Sequence, residues 1–176
     1  MIKLERDFYN RPTLDVAKDL IGKVVLFDSF QGIITETEAY VGRDDPACHA
    51  ARGMTERNKV MFGKAGVSYV YFIYGMYHCL NFVTEEEGFP AAVLIRGVYI
   101  PQLDYKKTNG PGKLCKVMNI TREHSSVDIT DNNNFYVADK GYDLKFDTTS
   151  RIGISKGKDL PWRFVVGKNE LKKIVG

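Results

Sequence analysis

Four of the chain's ten tyrosines fall within nine residues, in Tyr69-Val-Tyr71-Phe-Ile-Tyr74-Gly-Met-Tyr77-His-Cys-Leu-Asn81. Side chains alternate between the two faces of a strand. That period places Tyr69 and Tyr71 on one face, Phe72 on the other, and a reversal at Tyr74-Gly75. The segment therefore predicts a β-hairpin with an aromatic wall and one tyrosine at its tip. Such rings serve equally as half-buried strand packing, since aromatics favour strands. They also serve as a platform on which bases stack, with the tip ring able to wedge between bases.

A chain of 176 residues with 44% hydrophobic content can bury a core without disulfides or a structural metal, and one domain spanning 1–176 is expected. A net charge of +3 permits a polyanionic partner without requiring one. Cys48, Cys79 and Cys115 are odd in number and widely spaced, which suits a reducing, cytoplasmic setting better than a disulfide framework. The histidines do not lie at zinc-ligand spacing, so no metal is expected. The charged start of the chain does not read as a secretory signal, and no apolar run approaches the length of a membrane span.

Leu14, Val16, Ala17, Leu20 and Ile21 recur at helical spacing, with Thr13 as the expected cap and Gly22 as the stop. Strands are expected at 23–27 and 33–40, joined by a turn over 28–32. In the second, Ile33, Thr35, Thr37 and Ala39 share one face, and Ile34, Glu36, Glu38 and Tyr40 the other. Residues 42–66 carry no periodicity, five Gly or Pro residues, and the basic side chains Arg52, Arg57, Lys59 and Lys64. A long basic loop in a compact domain is usually functional. Residues 91–99 read as an apolar strand interrupted by Arg96, which needs an acidic partner or a task. Gly110-Pro111-Gly112 opens a helix. Residues 121–135 read as turn and loop, and further short strands are expected at 151–154 and 162–166. Strands connected by short turns, with helices between groups, predict an α+β domain. Its features are a curved, largely antiparallel sheet, surrounding helices and a protruding hairpin.

Glu38 and Tyr40 point the same way from one strand. A carboxylate beside a ring in a partly dry setting gains proton affinity and can act as a general base on water. The alternative is that Glu36 and Glu38 line a wet strand face. Arg96 either pairs with a buried acid or orients a carboxylate and a water. Lys113, at a helix start, is a candidate phosphate contact. His78 and His124 read as structural. Glu85-Glu86-Glu87 marks an acidic turn at the hairpin end remote from Tyr74.

Several blocks, in order, resemble the alkyladenine (3-methyladenine) DNA glycosylase family. They are Glu36-Thr-Glu38-Ala-Tyr40, His49, Arg57-Asn58, Met61-Phe62, Tyr69-Val-Tyr71, Ile73-Tyr74-Gly75-Met76-Tyr77 and Asn81. Val93-Leu94-Ile95-Arg96, Gly110-Pro111-Gly112-Lys113-Leu114-Cys115 and Arg151-Ile-Gly153-Ile154 continue the series. The resemblance implies an enzyme that flips 3-methyladenine, 7-methylguanine, hypoxanthine or ethenoadenine out of duplex DNA and hydrolyses the N-glycosidic bond. Glu38 would activate water and Arg96 would hold both. Tyr40, His49 and Tyr71 would stack on the base, Asn81 would sit at the pocket floor, and Tyr74 would fill the vacated space. Ile154 would offer a carbonyl to the water. No lysine is expected against the base, so hydrolysis without a Schiff base follows. A monomer acting on double-stranded DNA, with no cofactor and no membrane partner, is implied. Two other classes stay open on the residues alone. One is a non-catalytic nucleic-acid binder using the same rings. The other is a metal-dependent hydrolase using Glu36, Glu38, Asp44, Asp45 and His49.

Overall fold

In a computed structural model, which describes residues 1–175, every strand pairing is antiparallel and all nine strands belong to one sheet. The chain begins with β1 (Ile2–Lys3), α1 (Arg6–Tyr9), α2 (Thr13–Asp19), β2 (Val24–Phe27) and β3 (Phe30–Val41). After a 3₁₀ turn at Lys59–Phe62 come β4 (Ser68–Ile73), β5 (Tyr77–Val83), β6 (Ala91–Tyr99) and α3 (Pro111–Met118). β7 (Phe135–Asp139), β8 (Phe146–Thr149), β9 (Arg163–Val166) and α4 (Lys168–Val175) complete it. The sheet runs β1-β7-β2-β3-β6-β5-β4, with β9 also pairing with β3 and β8 with β9.

The long strand β3 organises this arrangement. Its first half pairs with β2 and its second half with β9, while β6 lies along its other edge. The β3–β6 register shifts twice, between Ile34 and Glu36 and between Glu36 and Thr37. Thr35 is the extra residue of the first irregularity and Arg96 that of the second. Bulges bend a sheet and re-aim side chains, and here one of them turns Arg96 toward the acids of β3.

The two faces of the β3–β6–β5–β4 region differ. Ala39, Val70, Leu80, Phe82, Val93 and Ile95 join the main core with α2 and α3. Tyr69, Tyr71, Cys79, Ala92 and Leu94 lie on the opposite face in a smaller cluster with Cys48, Met61 and Phe62. The alternation expected for Glu36, Glu38 and Tyr40 holds, with Thr37 donating to the Ala17 carbonyl on the core side at 2.9 Å. It does not extend back to Ile34, which lies in the main core, because the bulge at Thr35 reverses the parity.

Three local expectations are corrected. Pro12, not Thr13, is the N-cap of α2. The Thr13 amide and hydroxyl both donate to Glu85 Oε1 at 2.9 Å, so the cap comes from across the fold. The turn after β2 is shorter than 28–32, because Phe30–Gly32 are already in β3. Residues 151–154 form no strand. The strand lies earlier, at β8, and β7 occupies residues that border the expected loop. By contrast β6 and the Pro111 start of α3 fall where the sequence places them.

The hairpin reverses at Tyr74-Gly75, both with positive φ (55° and 62°), and Met76 N donates to the Ile73 carbonyl at 3.1 Å. That is a type I′ turn, which matches strand twist but favours Asn or Gly at its first central position. A tyrosine there costs about 1–2 kcal/mol in backbone strain. The ring recovers little of this by packing, since Tyr74 is 78% exposed. Tyr74→Gly is therefore expected to unfold in urea at or above the wild-type midpoint, with a gain of up to about 1 kcal/mol. A clear loss of stability would mean that the turn is unstrained or the ring packed.

Candidate active site

A cavity of about 550 Å³ opens between the hairpin, the end of β3, the start of α3 and the loop after β8. Tyr40, His49, Tyr71, Asn81 and Arg96 all line it, together with Tyr74, Lys113 and Ile154. The structure thus gathers the expected base-binding residues around one space. Glu38 lies immediately behind it with no solvent exposure, held by groups that do line it.

The Glu38 carboxylate accepts from the Tyr40 hydroxyl through Oε2 at 2.7 Å and from the Ile152 amide through Oε1 at 2.7 Å. Arg96 Nε stands 3.4 Å from Oε1. A carboxylate has about four lone-pair sites, so acceptor capacity remains for a further donor such as water. Burial raises Glu38's proton affinity above the usual carboxylate value, against the opposing pull of Arg96, the Ile152 amide and the Tyr40 hydroxyl. Neither Glu36 nor Glu38 lines a wet face. Glu36 Oε1 accepts from Arg96 at 3.0 Å and from Arg163 at 2.6 Å. Arg96 therefore pairs with a buried acid and also reaches the second carboxylate.

The aromatic wall is built on period two. His49 packs edge-on against Tyr71, with ring centroids 4.5 Å apart, and its Nδ1 lies 3.4 Å from the Tyr69 hydroxyl. Burial, then the charge of Arg57, lower the proton affinity of His49, although part of its ring stays open to solvent. Burial pushes Tyr69 up to about 12 and raises Tyr40 and Tyr71 further. The wall is neutral at physiological pH. Asn81 is buried and donates to the Tyr69 carbonyl at 3.1 Å, which fixes its amide at the cavity floor.

The basic loop is partly structural. Arg57 donates to the Phe72 carbonyl at 2.8 Å and lies over the Tyr71 ring, bracing the hairpin, while Lys59 pairs with Glu56. Lys113 donates to Asn109 and to the Lys106 carbonyl, tied back along its own loop at the cavity's edge. Lys156 also lines the cavity, a lysine the sequence blocks do not point to. His124 caps its own turn at Thr121, and His78 lies tilted against the Phe72 ring.

The Ile152 amide is the functional group that sequence spacing does not reveal. The segment after Arg151 resembles a matched block, but a backbone donor leaves no signature in residue type. The acids proposed for a metal cage are otherwise engaged. Asp45 faces Arg151, Glu36 faces two arginines, and among the described residues no three His, Cys, Asp or Glu side chains converge.

Residues 7–170 match the family model described as methylpurine-DNA glycosylase (MPG). The chain belongs to this family. It is 58% identical over 166 residues to a Rickettsia felis protein named "Putative 3-methyladenine DNA glycosylase", covering 94% of each chain. A protein of the same name from the Wolbachia of Brugia malayi is 59% identical over 163 residues, covering 93% of this chain and 96% of its own. An Ehrlichia chaffeensis protein, again so named, is 57% identical over 166 residues, covering 93% and 92%.

Glu38 holds a proton more tightly folded than unfolded. Its contribution to stability is thus fully present below the unfolded carboxylate pKa and is lost as pH rises through the folded value. Glu38→Gln is expected to be more stable than wild type at pH 7, by about 0.5–2 kcal/mol. The difference should vanish below about pH 4, where the unfolded carboxylate also protonates. Thermal unfolding of both proteins across this range measures it. A variant less stable at neutral pH would mean that the carboxylate's partners outweigh its desolvation.

Proposed function

We propose that this protein is a monofunctional DNA glycosylase of base-excision repair. It takes a damaged purine out of duplex DNA and hydrolyses its N-glycosidic bond with a water activated by Glu38. The observation that carries this reading is a fully buried carboxylate with raised proton affinity, placed behind a cavity whose wall is made of neutral rings. Family membership supports the reaction class, and the names of the relatives support an alkylated purine as substrate.

The target nucleotide is inaccessible inside a duplex, so extrusion comes first and costs about a few kcal/mol. Tyr74, exposed and held rigidly in a tight turn, enters the gap. A ring stacked there recovers about 1–3 kcal/mol. The extruded base lies between Tyr40 on one side and His49 and Tyr71 on the other. A purine methylated at N3 or N7 is cationic, and an aromatic face attracts a cation by about 0.5–2 kcal/mol. His49 assists by staying neutral, since an imidazolium would repel such a base.

Water then attacks C1′ as the C1′–N bond breaks. The bonding electrons leave with the base, and the water's proton passes to Glu38. The negative carboxylate also stabilises the positive charge that develops on the sugar. Arg96 orients the carboxylate, and the products are the free base and an abasic site. Asn81, fixed at the floor, is placed to clash with the exocyclic amino group of normal guanine. Lys113 stands where a backbone phosphate passes, and Ile154 faces the same space as the attacking water.

In an assay with duplex DNA containing 3-methyladenine or hypoxanthine and a chelator present, wild type should release the free base. Glu38→Gln should lower the rate by about 10²–10⁴-fold, the usual reach of general-base catalysis, with lesion binding retained. Near-normal turnover by that variant would remove Glu38 from the role. Binding without base release by wild type would favour the non-catalytic binder instead. Tyr74→Ala should weaken binding to lesion duplex by about 1–3 kcal/mol, and unchanged affinity would rule out the wedge.

A further inference from the structure

The most completely buried ion pair in the molecule lies beside the cavity and outside the chemistry described above. Arg151 and Asp45 both have no side-chain exposure. The guanidinium meets the carboxylate as a fork, Nη1 donating to Oδ2 at 2.6 Å and Nη2 to Oδ1 at 2.8 Å. Nη1 also donates to the Ala39 carbonyl at 3.0 Å. The guanidinium is sandwiched between the rings of Tyr40 and Trp162, 4.9 and 5.0 Å from their centroids. Gly157 leaves room for the fork, since a Cβ there would come within 2.8 Å of Nη2.

Each partner anchors a different wall of the cavity. Asp45 accepts from the Val41 amide at 3.1 Å and the Ala47 amide at 3.0 Å. It thereby folds the loop from the end of β3 toward His49. Arg151 begins the segment whose next five residues, Ile152 to Lys156, line the cavity. The first of these carries the amide that donates to Glu38. Tyr40, whose ring lies on the guanidinium, donates to the other oxygen of the same carboxylate.

We propose that the Asp45–Arg151 pair is a positioning device for the reaction, holding the Tyr40 hydroxyl and the Ile152 amide where together they orient the Glu38 carboxylate. The proposal rests on the function assigned above. Neither residue touches the base or the water; both act through Tyr40 and the 152–156 segment. A planar, bidentate, ring-stacked arginine suits the task because it fixes direction as well as distance. A lysine would retain the charge without the fork or the stack.

The charged and titratable groups facing Glu38 are Glu36 and Tyr40 on β3, Arg96 on β6 and Cys79 on β5, with Arg151 beyond Tyr40 and Arg163 of β9 behind Glu36. The pair is neutral in sum. Its joint removal therefore changes Glu38 mainly through the loss of the two hydrogen bonds that favour the charged carboxylate. The proton affinity of Glu38 should rise.

The test uses two variants, Arg151→Lys and the apolar double substitution Asp45→Leu with Arg151→Met. The second leaves no unpaired buried charge and keeps the fold testable. The substrate is duplex DNA containing 7-methylguanine, whose cationic base needs no proton to leave, so the acid limb of the rate profile reports the general base alone. Single-turnover rates at saturating enzyme should fall tenfold or more in both variants. The acid limb should move to higher pH, and affinity for the lesion duplex should change less than threefold. A purely structural pair would lower the melting temperature while the folded variants kept the wild-type rate and pH profile, and that result overturns the proposal. Glu38→Gln in the same assay separates the two readings. Wild-type activity abolished by that substitution, with the pair variants at full rate, removes only the positioning role. No base release by wild type removes the proposed function and this inference with it.

Discussion

A carboxylate taken fully out of water costs several kcal/mol unless its partners make good the lost hydration. Glu38 is such a group, and much of the surrounding structure is explained by what it needs. The bulge that delivers Arg96 supplies a cation from β6. The strand period supplies the Tyr40 hydroxyl from two residues away. The loop after β8 supplies a backbone amide from more than a hundred residues along the chain. These partners do not fully restore the ordinary proton affinity. The residual destabilisation suits the general-base role proposed for Glu38, since a base as weak as a solvated carboxylate has little tendency to take a proton from water.

The same logic of local strain held by a rigid frame applies at the hairpin tip. A tyrosine in the left-handed region is tolerated only where its surroundings over-determine the turn. Here the β4–β5 ladder runs unbroken from Ser68↔Phe82 to Ile73↔Tyr77. Arg57 and Arg122 both brace β4 at Phe72, through its carbonyl and its ring. Tyr77 packs on Gly112, where a Cβ would come within 2.6 Å of the ring, so the hairpin also rests on the start of α3. Basic side chains that the composition would assign to a polyanion are thus used in part to stiffen the element that projects.

What can be read in the sequence follows from the range of the interaction. Period-two alternation is local, so the faces of residues 36–40 and 69–81 are legible, and with them the wall of the cavity. The Gly110-Pro111 start of α3 is legible because proline at a first helical position carries its own geometric reason. The cap on α2 is not, because Thr13 has the right residue type while its acceptor, Glu85, comes from the start of the β5–β6 connection, 72 positions along the chain. Nor is the bulge at Arg96, which depends on how two strands meet. β8 is a short strand of mostly exposed or half-buried residues, without an apolar run to betray it, and the apolar segment at 151–154 draws the strand assignment instead. Arg151 in isolation reads as one more basic residue. Only the fold brings it to Asp45, 106 positions away.

The balance of charge around the cavity bears on how a cationic purine would be distinguished from a normal one. Glu36 and Glu38 are answered by Arg96 and Arg163, and Asp45 by Arg151. The net charge of these buried groups is therefore zero, three negative against three positive. The tyrosines contribute none, because burial holds them protonated, and burial with the charge of Arg57 lowers the proton affinity of His49. A cationic base entering this space meets no uncompensated positive charge from these groups. It meets electron-rich faces, with Glu38's negative charge beyond them. If the base is a cationic lesion, as proposed, the pairing of Arg96, Arg151 and Arg163 with acids limits its repulsion, while Arg57 over the Tyr71 ring and Lys113 and Lys156 in the cavity lining keep their charge. Removing the acid from any of these three pairs would leave a guanidinium charge that repels a cationic base entering the cavity.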